Sequence, residues 1–162
     1  MATNSKFEIK GMDKVINNLN KEVRKLERRT DEGLVKVGEM FYERMEPKIP
    51  VYTGNLRSSW FIVSRKGTET PMPSFLDIPE RMDAPRLTIN HAAVLHLYSY
   101  LLSRQKQPAV VIGFSAYYAK IVHEMIDEEF KRPGAEARFM YSTIQENFDR
   151  ALSILAENTR IR

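Results

Sequence analysis

Three histidines and one run of carboxylates hold most of the reactive chemistry in this chain. His123 is followed at i+4 by Asp127, a spacing that puts both on one helix face and could fill two positions on a metal ion. A catalytic zinc needs a third ligand and an open position, and no His-Glu-x-x-His pattern supplies them. His91 and His96 stand five apart, off a common face. Glu124, Asp127, Glu128 and Glu129 crowd just before Lys131 and Arg132. Paired carboxylates do acid–base work across a pocket. Here they are near neighbours in sequence, which fits a solvated loop or a rim that meets a basic partner. Ser58, Ser59 and Ser115 lack a nucleophile elbow, and the glycines never form a phosphate loop. The chain is therefore expected not to be an enzyme, with no catalytic residue, no cofactor and no metal. A small hydrolase would have to rest on His123 and Glu124.

Composition narrows the class further. The 162 residues are 43% apolar and 28% charged, ordinary for one globular domain over 1–162. With no cysteine, disulfide scaffolds and thiolate zinc sites are excluded. No apolar run reaches membrane-spanning length, and MATNSKFEIK is not a signal peptide, so no membrane partner is expected. The net charge of +4 is uneven: residues 1–66 hold 14 Lys/Arg against 9 Asp/Glu, and the remainder is nearly balanced. The most basic stretch, 21–29 (KEVRKLERR), offers phosphate contacts for a nucleic-acid-binding alternative. It lacks interleaved aromatics and contains two acids, which fits a solvated helix face better.

These residues need elements to hold them. Lys6–Lys10 alternates as a short strand ended by Gly11, and Asp13 is a plausible cap for the helix after it. Met12, Ile16, Leu19, Val23, Leu26, Gly33, Val37 and Met40 or Phe41 mark one face of a long helix from Met12 to Met45. Gly33 and Gly38 suggest a kink, and Pro47 stops the pattern. Leu56–Val63 reads as a strand that continues to Lys66. Proline-rich 67–85 reads as an irregular loop, Arg86–Asn90 as a strand and His91–Arg104 as a helix. Ala109–Phe114, apolar throughout, reads as a central strand. Tyr117, Ile121 and Met125 mark a helical turn, and Ala135–Asn158 a final helix. This predicts an α+β fold, a small mainly antiparallel sheet flanked by a long N-terminal helix and a C-terminal helix, with an irregular insertion at about 67–108. Tyr98 and Tyr100, with the leucines beside them, would bury themselves against a neighbouring subunit.

The join between the first helix and its strand is the densest signal. In Ile49–Trp60, Pro50 forces Ile49 out of helical geometry. Thr53-Gly54-Asn55 is turn chemistry, with Gly54 able to take positive φ. Trp60 and the Tyr117-Tyr118 pair are candidate anchors. PVYTGNLRSSW is similar to the P-V-x-T-G-x-L-R-x-S signature of the tail-completion, or head–tail joining, proteins of long-tailed bacteriophages. FEIKGMDKVINNLNKEV resembles that family's opening strand, Gly and helix. VVIGFSAYYAKIVHE resembles its strand followed by Y-A-x-x-V-x-E, and PGAEARFMYSTI its closing block. The family pattern has a Gly-Thr soon after the Glu, where this chain has MIDEEFKRPG after Glu124.

The resemblance implies a virion structural protein of the neck, made in the host cytoplasm. Such proteins assemble as rings, commonly hexameric, and dock connector and tail proteins. It makes Thr53, Gly54, Asn55, Leu56, Arg57, Trp60, Tyr118 and Glu124 the motif or interface residues, with Arg57 expected to pair with an acid, Glu124 being the candidate, in the same or an adjacent subunit.

Overall fold

The computed structural model describes residues 11–51, 54–68, 84–126 and 129–160; the strand expected over 6–10 lies outside them. Helix α1 runs Met12–Met45, 34 residues and about 50 Å, with the predicted bounds. Its N-terminus is set by Gly11 at φ 95°, and no side chain caps it. Asp13 lies inside the first turn, where its charge suits the helix dipole, so the capping role expected of it is not observed. A 3-10 turn over Glu46–Lys48 absorbs Pro47. Ile49 then takes extended geometry (φ −69°, ψ 124°), as the residue before a proline must.

Gly33 and Gly38 do not break α1; they let other elements approach it. A Cβ on Gly33 would stand 3.1 Å from Leu155 Cδ1, and one on Gly38 would stand 3.0 Å from Ile112 Cγ2.

Helix α2 (Asn55–Ser58) occupies the start of the strand expected from Leu56. Gly54 at φ 81° turns the chain into it. Ser58 Oγ donates to Gly54 O and Ser59 Oγ to Leu56 O, competing with strand pairing until Trp60. Strand β1 (Trp60–Ser64) pairs antiparallel with the short β2 (Gly67–Thr68) and with β3 (Val110–Phe114), Trp60 opposite Phe114 and Ile62 opposite Ile112. The sheet order is β2-β1-β3, so β1 is central among the described strands and β3, expected to be central, lies at the edge. β3 is apolar on both sides because helices cover both faces of the sheet.

Helix α3 (Ala84–Ser103) replaces the strand expected over 86–90 and contains the helix expected from His91. Pro85 sits in its first turn, where the missing N–H costs nothing. On one face of the sheet, Phe61 and Val63 pack with Leu95 and Leu102 of α3. On the other, Trp60 and Ile62 pack with Met45, Ile49, Leu56 and Phe139. Helix α4 (Ala119–His123) and the residue before it present Tyr118 and Val122 to that core, leaving Tyr117, Ile121 and Met125, the residues that marked the turn, outside. The expected last helix is two, α5 (Phe139–Glu146) and α6 (Phe148–Thr159). Asn147 donates its Nδ2 to Thr143 O at the break. Ala151 is buried against Met40 and Phe41, whereas Phe148 and Leu152 are exposed. The result is α+β, as expected. No described helix is long and apolar enough to cross a membrane.

α3 is docked through a buried histidine. His91 is 2% exposed, its Nδ1 is 2.7 Å from Ser115 Oγ, and burial holds its pKa below the ordinary value. The fold thus favours neutral His91. Its contribution is complete above the unfolded pKa of about 6.5 and is lost as pH falls from there toward the lowered folded value. Thermal stability is expected to fall as pH drops below about 6.5, above the range where carboxylates protonate. A His91→Gln variant should flatten that slope; an unchanged slope would remove His91 as its cause.

Candidate functional site

The elbow is built from the end of α1, the 3-10 turn, α2 and the loop before α5. Glu46 receives two guanidinium groups, Arg57 Nη1 at 3.2 Å and Arg132 Nη2 at 3.0 Å. Arg132 also donates Nη1 to the carbonyls of Glu46 (2.8 Å) and Ile49 (3.2 Å), satisfying oxygens that the ending helix leaves open. Lys48 lies between Glu146 (2.8 Å) and Glu136 (3.0 Å). Partial burial opposes its charge, but hydrogen bonds to those two carboxylates outweigh burial and raise its pKa. Glu136 is held low, first by a hydrogen bond from Ser142 and then by Lys48.

Arg57 therefore pairs with an acid, as expected, but within the chain that acid is Glu46 rather than Glu124. Glu124 instead accepts from His123 Nδ1 at 2.9 Å and faces Arg138 Nε at 3.6 Å, and the bond from His123 is the main cause of its lowered pKa. Arg57 and Glu124 are separated because α4 ends at His123 and delivers Glu124 to Arg138, beside the start of α5. Both pairs are substantially exposed and stabilise little by themselves.

The other motif residues converge on one wall. Asn55 Nδ2 donates to Tyr118 Oη at 2.8 Å, tying α2 to the start of α4. Leu56 and Trp60 are buried. The Trp60 ring stacks on Tyr42 (centroids 5.2 Å, 19°) and meets Phe114 edge-on, while burial raises the Tyr42 pKa. Thr53 lies outside the described residues. Outside this wall runs an apolar groove of about 230 Å³ lined by Pro50, Val51, Leu56, Tyr118, Val122 and Met125, with Glu129 and Lys131 at its mouth. Such a groove suits an apolar anchor from another protein.

Among the described residues no three His, Asp or Glu side chains gather as a metal site. His123 packs edge-on against Phe139, and His91 is occupied with Ser115. The basic residues Lys21, Arg24, Lys25 and Arg28 share one outer face of α1 with Asn17 and Asn20. Tyr98 stacks on Phe61 within the chain, while Tyr100 stays exposed. Sequence reasoning missed Arg132. Its only signal was a position just before Pro133-Gly134, where a loop can turn back on the end of α1.

A family model described as "Bacteriophage HK97-gp10, putative tail-component" matches residues 13–74. Those residues carry a phage tail-component signature. The matched stretch takes in α1, the elbow, β1 and β2; the two later blocks of resemblance lie beyond it. No curated protein and no solved structure matches the chain. The matched family is structural, so it points to a tail-related virion protein that works among other phage structural proteins.

Proposed function

We propose that this protein completes the tail or joins head to tail in the phage neck, acting by shape as a ring of identical subunits between connector and tail. The observation that carries this reading is the tail-component match over α1, the elbow and β1. In this reading Thr53, Gly54, Asn55, Leu56 and Arg57 set the elbow, Trp60 and Tyr118 anchor it, and Glu124 borders a docking surface. The groove beside Leu56 and Tyr118 would receive an apolar anchor from the connector or tail. The isolated protein works without cofactor, and its output is assembly rather than chemistry.

The reading is tested by removing the gene from the phage. Heads filled with DNA and finished tails should accumulate unjoined, and purified protein added to the extract should restore joined particles. Joined, infectious particles made without the protein would overturn it.

A further inference from the structure

Two helices each leave an apolar stripe uncovered by any described residue, and the stripes suit each other. On α1, Met12, Val15, Ile16, Leu19, Val23 and Leu26 are all exposed, Leu19 by 62%. Apart from Val15 they recur in alternating steps of four and three, the spacing of a helix-pairing seam. Four turns of apolar helix standing clear of the core call for a partner. Glu27 and Asp13 lie along one side of the stripe; on the other Glu22, paired with Lys25 at 2.7 Å, stands beside Arg29, and the remaining basic residues of this stretch occupy the far face.

A second α1 is the weaker partner. In a parallel pair Glu22 would stand opposite Glu27 of the other helix, and in the antiparallel register that sets Leu19 against Val23, Glu22 would meet Glu22 and Asp13 would meet Glu27.

The second stripe is the outer face of α3. Leu97 (53%), Tyr100 and Leu101 are exposed there, with Ala93 and Arg104 continuing the line at the same alternating spacing. Arg104 Nη1 donates to Tyr100 Oη at 2.7 Å, and its guanidinium lies 5.5 Å from that ring, which holds the cation beside the stripe. No Asp or Glu occurs between Ala84 and His123. One stripe is thus apolar with acids along one side, and the other is apolar with a basic end and no acid near it in sequence.

α1 and α3 pack on opposite faces of the sheet. A contact between them joins two different surfaces and is heterologous, so it repeats from copy to copy and closes when the rotation allows. We infer that the exposed stripe of α1 docks on the outer face of α3 in a second copy of this chain. This rests on the assembly reading and names the contact that builds it.

The absence of cysteine permits a clean test. Leu19→Cys and Leu97→Cys variants, mixed and oxidised, should form a disulfide-linked dimer about tenfold faster than either alone. Faster linking by Leu19→Cys alone would show α1 pairing with itself and overturn the inference. Separately, Leu19→Glu and Leu97→Glu, both at exposed positions, should keep wild-type circular dichroism. Each should weaken self-association at least about 30-fold, the size of a hot-spot loss. Mixed together they should form a one-to-one dimer and nothing larger, since one intact surface remains on each. Wild-type oligomers that persist in both Glu variants would overturn this contact and leave the neck reading standing. Unchanged self-association with lost binding to phage particles would overturn it too, assigning the stripe to a different phage protein. A wild-type chain that stays monomeric at every concentration and in particles would remove the ring as well.

Discussion

Trp60→Ala is expected to lower the unfolding free energy by about 3–5 kcal/mol, the cost of emptying a large aromatic site in a packed core. Trp60 is 3% exposed and lies between Tyr42 of α1 and Phe114 of β3, its partner across the sheet. Phe114 in turn meets the ring of Phe139 edge-on, so one vacancy loosens α1, the sheet and α5 together. Its Nε1 is buried and has no hydrogen-bond partner among the described residues. Trp60→Phe removes that polar atom while keeping a ring, and should cost only about 1–2 kcal/mol. Urea unfolding followed by circular dichroism checks both, because the chain's single tryptophan is lost as a fluorescent reporter. Equal losses for Ala and Phe would mean that ring packing is not what Trp60 supplies.

Asp31→Ala should cost about 3 kcal/mol, the low end for breaking a buried ion pair. Asp31 is 5% exposed and accepts two bonds from Arg65, at 2.7 and 3.2 Å. Arg65 Nη1 also reaches the carbonyl of Lys106 at 3.0 Å, so one guanidinium ties α1, the turn after β1 and the approach to β3. Removing Arg65 strands the Asp31 carboxylate away from water, whereas removing Asp31 leaves Arg65 with the Lys106 carbonyl and some solvent. The double variant Asp31→Ala/Arg65→Met should therefore be more stable than the sum of the single losses implies. Additive losses in chemical unfolding would show that the pair is not coupled.

The fold was legible where one pattern dominated. α1 was readable to the residue because its apolar positions keep helical spacing for 34 residues and Pro47 ends them. The two short apolar runs announced strands and a mainly antiparallel sheet, but not that β1 would take the centre and β3 its edge. Misreadings arose where side chains overrule local pattern. Ser58 and Ser59 bond back to the main chain and coil Asn55–Ser58, although Leu56–Val63 looks strand-like. Leu87 and Ile89 alternate as a strand would, yet the segment belongs to α3. Asn147 divides a continuous apolar period by taking the Thr143 carbonyl. At the elbow, sequence identified the residues but not their partners. Whether Arg57 meets Glu46 or Glu124 depends on where α4 stops and how the loop carrying Arg132 folds back.

Arg132 fastens the end of α1 at two carbonyls and one carboxylate, while the first four turns of that helix extend past the body of the fold. The helix is thus an arm gripped from Asp31 to the elbow by Arg65, β3 and α6, with about 20 Å of free length beyond. Because the grip spans two elements, that arm leaves the body at a fixed angle, and in the proposed ring that angle would set how wide a circle of subunits can close.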